Sequence, residues 1–184
     1  MPVQIGAKTH NFNDPTGLLS DCHRRIEMFL GTFVAVAEVI DQPPSDETGR
    51  ALEAALRYFA QAAPKHTADE EESLFPRLRE NPDPELKSVL SALEELEKDH
   101  VVVSELHADV ERLAARYLQD RALSAEDRTA FRQAVKELQL KYSEHIGIED
   151  SEVFPLAERL LSESEKSAIA REMAQRRNIT PATR

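Results

Sequence analysis

Two stretches decide how this chain reads: HTADEEESLFP at residues 66–76 and HIGIEDSEVFP at residues 145–155. Each has a histidine, a glutamate four positions later, an acid directly after it, and Phe-Pro at the ninth and tenth positions after the histidine. His66, Glu70 and Phe75-Pro76 in the first copy answer His145, Glu149 and Phe154-Pro155 in the second. A spacing of four puts histidine and glutamate one turn apart on one helix face. Alone, that spacing says little. His23 has Glu27, His107 has Glu111 and His10 has Asp14 at the same offset, and in an acidic helical protein such pairs are ordinarily solvated contacts. The company the two pairs keep is more informative.

Working outward, four long segments show a helical apolar period. The first, about 17–40, has the stripe Leu19, Cys22, Ile26, Phe29, Leu30, Phe33, Val36, Ile40, and His23 lies on it. The second, about 47–79, runs Leu52, Leu56, Phe59, Ala63, His66, Glu70, Leu74. Pro64 predicts a kink there, or a short break and restart. The third, about 85–119, follows NPDP and carries His100 and His107 among Leu93, Leu96, Val103 and Val110. The fourth opens at Ser124 as N-cap and runs Phe131, Val135, Leu138, Tyr142, His145, Glu149, Val153, Leu156. A short last helix, about 163–177, is signalled by the Ser162/Glu165 capping pair and docks by Ile169 and Met173. The final residues read as frayed. The expected fold is all-α: an up-down-up-down four-helix bundle over about 16–160 plus that C-terminal helix, in one domain spanning 1–184. A coiled coil is the competing packing, but four distinct stripes in 184 residues favour an intramolecular bundle.

The stripes form the inner seams of such a bundle, and each carries a histidine. Two also carry a glutamate. A buried carboxylate is costly unless paired or metal-bound, and these stripes offer no Lys or Arg, so a metal is the natural counter-charge. Counting residues from the shared loops, at about 1.5 Å per helical residue, puts His23, His66, Glu70, His100, His145 and Glu149 within one or two turns of one level.

Bulk properties narrow the partners. The net charge of −11 argues against nucleic acid and anionic membrane surfaces, both of which reward clustered Lys and Arg. The single cysteine, Cys22, allows no internal disulfide and suits a reducing compartment. No signal-like leader and no apolar run long enough to span a bilayer are seen. The expected setting is cytoplasmic.

The pattern His23, His66-x-x-x-Glu70, His100, His145-x-x-x-Glu149, with LFP and VFP after the two paired motifs, resembles the hemerythrin-like HHE cation-binding family over about residues 16–160. The resemblance implies a non-haem di-iron centre inside the bundle. His23 and His66 would hold one metal, His100 and His145 the other, and Glu70 and Glu149 would bridge. The oxygen carriers of the family have a fifth histidine, four residues after the third-helix ligand. Here that position is Ser104, which leaves more coordination open to water or a small oxidant. Imidazole and carboxylate ligands without thiolate suit iron, and also manganese or zinc.

The implied function is a di-metal protein that binds or senses oxygen or a related small oxidant such as peroxide. The alternatives are a di-iron enzyme acting on peroxide or nitric oxide, or an iron-handling protein. A homodimer is a compatible assembly. Around the six ligands, His107 reads as a core or channel histidine, Glu27 as a surface charge, Tyr142 as core packing, and Cys22 as a small apolar filler. Asp69, Glu71 and Glu72 read as solvated. Each Phe-Pro pair is expected to bend or end its helix just past the metal level, with the Phe closing the core.

Overall fold

The computed structural model describes residues 10–179. The chain end read as frayed lies from residue 180 on, outside the described residues. The described part contains helices and no strand. Helix α1 is Pro15–Val39, α2 Asp46–Gln61 and α3 Ala63–Asp69. A π-helical turn, Glu70–Leu74, leads into α4, Phe75–Glu80. After a 3₁₀ turn at Pro84–Ser88 come α5, Leu90–Asp120, and α6, Ala125–Ile148. A second π turn, Glu149–Val153, leads into α7, Phe154–Leu160, and α8 is Glu163–Arg176.

The helix boundaries follow local chemistry. Ser45 accepts the Thr48 N–H at 3.1 Å and starts α2. Ser124 accepts the Asp127 N–H at 3.1 Å and starts α6. Ser162 and Glu165 form the reciprocal box that starts α8. Pro64 gives the break and restart: α2 stops at Gln61, and the proline takes the second position of α3, where a missing N–H costs nothing. Asp83 caps the Glu85 N–H at 2.9 Å, so the third segment opens as a 3₁₀ turn before α5.

The Phe-Pro pairs neither end nor break their helices. In each copy the helical run continues through a five-residue π turn whose first residue is the motif glutamate. Phe75 N–H donates to the carbonyl of Glu70, and Phe154 N–H to that of Glu149, each five residues back. The proline is then the second residue of the next α-helix. A shift from four-residue to five-residue bonding leaves one rung of the ladder unmade, and proline has no N–H to lose there.

The chain divides into two compact units, and α1, α5 and α6 each contribute a length to both. In the first (10–25, 64–97 and 146–179 of the described residues), the two copies pack their apolar ends together. Leu74, Phe75 and Leu78 join Val153, Phe154 and Ala157 in one core with Leu18, Leu19, Leu93 and Leu96. Helix α8 docks on it through Ile169 and Met173, as its sequence predicts, and the two phenylalanines do close that core.

In the second unit (Ile26–Ala63 and Lys98–His145), Phe33 stacks on Phe59 with centroids 5.1 Å apart. Leu52, Val110, Phe131 and Leu138 of the same unit are fully buried. Tyr117 O–H donates to the Gln42 carbonyl at 2.7 Å, and Arg121, at a left-handed φ of 54°, donates to the Pro44 carbonyl at 2.7 Å. These bonds tie the 40–45 loop to the end of α5. Phe131→Ala should lower unfolding free energy by about 3–5 kcal/mol through the cavity it leaves. Tyr117→Phe, which loses one net hydrogen bond, should cost about 1 kcal/mol. Urea titration of the two variants beside the parent checks both.

Candidate metal centre

Four of the six sequence-predicted ligands converge within the first unit. His23 comes from α1, His66 from α3, and Glu70 and Glu149 from the first residues of the two π turns. All four are buried, and each offers one ligand atom such that the four atoms lie within 4.8 Å of one another. His23 Nε2 is 3.1 Å from Glu149 Oε2 and 4.0 Å from Glu70 Oε1. His66 Nε2 is 3.1 Å from Glu70 Oε1. Two donors at right angles around one cation, each about 2.1 Å from it, are about 3.0 Å apart. The two 3.1 Å approaches therefore suit neighbouring ligands of a single ion.

The electrostatics point the same way. His23, Glu70 and Glu149 are 0% exposed. Burial first, and then the negative charge of Glu149 and Asp69, push the Glu70 carboxyl well above the ordinary carboxylate range. Two carboxylates in that position repel each other and have lost their water. A divalent cation would supply the missing charge, and the oxygen and imidazole donors suit iron, manganese or zinc. The residues present therefore fit a metal.

The acid that follows Glu149 has a defined task. Asp150 Oδ1 lies 3.0 Å from His23 Nδ1 and accepts the Ser20 hydroxyl at 2.9 Å, while Arg24 pairs with its other oxygen. Burial works against the charge on Asp150, but these partners outweigh it and hold its carboxyl below the usual range. A carboxylate on Nδ1 fixes the proton there and leaves Nε2 as the ligand atom. For His23 itself, burial opposes protonation, yet the bond to Asp150 and the charge of Glu149 raise its pKa. Phe154 of the VFP motif stacks on the His23 ring at 5.3 Å.

Asp69 requires a correction: it is not solvated. Its carboxylate is 0% exposed and held by Arg176 and Arg177 at 3.0 and 2.6 Å. Burial raises its pKa, and the two guanidinia limit the rise. Glu72, in contrast, is exposed as expected and pairs with Arg176. Nothing local in the sequence pairs Asp69 with α8. Asp150, however, was visible as the acid repeated after each motif glutamate. Glu27 is exposed, in line with a surface charge.

The other two predicted ligands meet within the second unit. His100 Nε2 of α5 and His145 Nε2 of α6 are 3.1 Å apart, with ring centroids at 4.6 Å. His145 is buried and His100 half-buried. His107 is in the same unit, its Nε2 2.9 Å from the Tyr142 hydroxyl and its ring 4.2 Å from Phe59. Tyr142 is buried, as core packing requires, His107 is half-buried, and each serves the other as hydrogen-bond partner. Burial pushes His107 down to about 4. A cavity of about 210 Å³ lies beside it, lined by Phe33, Phe59, Ser104 and His107 among others.

An all-α protein with a buried His/Glu cluster able to bind metal is the class that fold and site define. The chain belongs to the family described as the hemerythrin HHE cation binding domain, which matches residues 14–157, and its fold is an all-α bundle of that kind. Over 173 residues it is 24% identical to an "Uncharacterized protein" of Haemophilus influenzae, covering 91% of this chain and 92% of that one. No helix among the described residues is long and apolar enough to cross a membrane.

Two predictions follow from these contacts. Asp150→Ala removes the acceptor that sets the His23 tautomer, so metal affinity should fall roughly 10–100-fold, read by competition titration with a chromophoric chelator. An unfolded histidine takes up its proton near pH 6.5, whereas folded His107 does so at about 4. Between those values the unfolded chain holds more protons, so the contribution is intact above pH 6.5 and lost as pH falls towards 4, by up to about 3 kcal/mol. His107→Gln should flatten that part of the stability curve of metal-free protein, measured by urea unfolding between pH 7 and 4.

Proposed function

We propose that this protein is a cytoplasmic, non-haem di-iron protein of hemerythrin type that binds or senses oxygen or a related small oxidant. The observation that carries this reading is the buried convergence of His23, His66, Glu70 and Glu149 within 4.8 Å. In the proposed centre these residues hold one iron. His100 and His145, with Nε2 atoms 3.1 Å apart, would hold the second. When bound, a redox-active metal pair supplies electrons and open coordination positions to a small oxidant. The chain's own residues set up that chemistry. Asp150 holds the His23 proton at Nδ1, Phe154 covers the His23 ring, and burial keeps water from the carboxylates. Cys22, as a lone thiol, suits the reducing cytoplasm.

A second reading, an enzyme that consumes peroxide, is favoured by the cavity beside Ser104 and by the His107–Tyr142 pair. That pair offers a neutral imidazole and a hydroxyl next to room for a small substrate. Elemental analysis should find two irons per chain, and His145→Ala should lose about one of them. The absorption spectrum of the reduced protein should change on admitting air and revert on removing oxygen. An irreversible spectral change with peroxide turnover that disappears in His145→Ala would favour the enzyme. Protein without bound metal, and with stability indifferent to chelators, would refute both.

A further inference from the structure

We propose that α8 is a latch on the metal centre, with Arg176 and Arg177 acting as positioning residues for Glu70 through Asp69 and the first π turn. The inference rests on the metal-binding reading above and adds to it an element beyond residues 14–157, where the family match ends.

The two guanidinia grip the backbone neighbourhood of Glu70 from both sides. Before Glu70, Arg176 Nη1 meets Asp69 Oδ1 at 3.0 Å and Arg177 Nη2 donates to Asp69 Oδ2 at 2.6 Å. After Glu70, Arg176 Nη1 donates to Ser73 Oγ and Nη2 to Glu72 Oε2, both at 2.9 Å. The π turn is thus held at Glu72 and Ser73 within it and at Asp69 directly before it. A second fork runs the other way. Arg77 donates to both carboxylate oxygens of Glu172 on α8, at 2.7 and 3.1 Å, and to the Ser73 carbonyl at 2.6 Å. Planar, charge-assisted contacts of this kind fix direction as well as distance.

The far end of α8 is itself fixed. Ile179 N–H donates to the Ala174 carbonyl and Asn178 N–H to that of Gln175, both at 2.9 Å, with Asn178 at a left-handed φ of 53°. This is a closed helix stop, and it sets the direction in which Arg177 leaves the chain. Arg177 Nη1 also donates to the Met173 carbonyl at 2.9 Å, which braces the guanidinium.

The two sequence copies differ at this point. The position that holds Asp69 in the first is Ile148 in the second, which packs against the apolar core. An acid at 69 is therefore not part of the shared ligand motif. It answers α8, an element that only the first copy has as an ionic partner among the described contacts. A buried carboxylate directly before a metal-ligand glutamate adds repulsion to the site unless something holds its charge, and Arg176 and Arg177 do so. Coupling of this sort is reciprocal: if the latch shapes the site for metal, metal binding must tighten the latch.

The test uses the full chain, stripped with a chelator and titrated anaerobically with ferrous iron. Arg176→Gln/Arg177→Gln should weaken the tighter iron roughly 10–100-fold, and Arg176→Lys/Arg177→Lys should recover part of that loss. Met173→Ala loosens α8 by packing alone, so it should lower the melting temperature and keep the wild-type affinity. Amide exchange in residues 163–177 should slow on iron loading in the wild type and change less in Asp69→Asn. If the glutamine pair fails to fold, Asp69→Asn replaces it in the iron titration. Unchanged iron affinity in the folded variant, or an equal loss in Met173→Ala, overturns the latch and leaves the metal centre standing. A wild-type chain that takes up no iron overturns both.

Discussion

Two carboxylates without water govern this structure. Glu70 and Glu149 sit fully buried beside His23 and His66, with the charge of each raising the cost of the other. Free energy lost in that way must be recovered by neighbouring groups or by a cation. The surrounding features all serve this end. The imidazoles turn Nε2 inward, Asp150 holds one of them from behind, and Phe154 and Phe75 close an apolar core next to the site. The departure from α-helical geometry begins at the same two glutamates, at the first residue of each π turn. Such turns re-aim side chains within an otherwise continuous helix.

The doubled motif gives the site an approximate internal repeat, but the two copies are not used alike. Each supplies a histidine, a glutamate, a π turn and a Phe-Pro pair. In the second copy the trailing acid, Asp150, orients a histidine of α1. In the first copy the acid before the glutamate, Asp69, is bound by α8. A repeated sequence pattern therefore sits in unequal surroundings.

Much of this was legible in advance because it depends on neighbours along the chain. Apolar period, capping serines and prolines are local signals, and they located every long helix and the break at Pro64. The burial of His23, His66, Glu70, His145 and Glu149 was legible for the same reason: a side chain on an apolar stripe faces the interior whatever its chemistry. The π turns were not legible. Proline signals a disturbed ladder, but whether the chain bends, stops or absorbs one residue depends on the core it packs into. Here Phe75 and Phe154 are anchored in that core, and the helical run goes on.

By itself the sequence determined an all-α chain, the faces its helices bury, and a set of histidines and glutamates on those faces. These are consequences of period and composition, which need no knowledge of the distant chain. Tertiary structure alone decided which acids lie in water and which in the interior. Asp69, Glu71 and Glu72 are near neighbours of similar chemistry, yet Asp69 is sealed against Arg177, 108 positions away, and Glu72 is exposed. Burial and ion pairing are properties of the space around a side chain, and that space exists only once remote helices have docked.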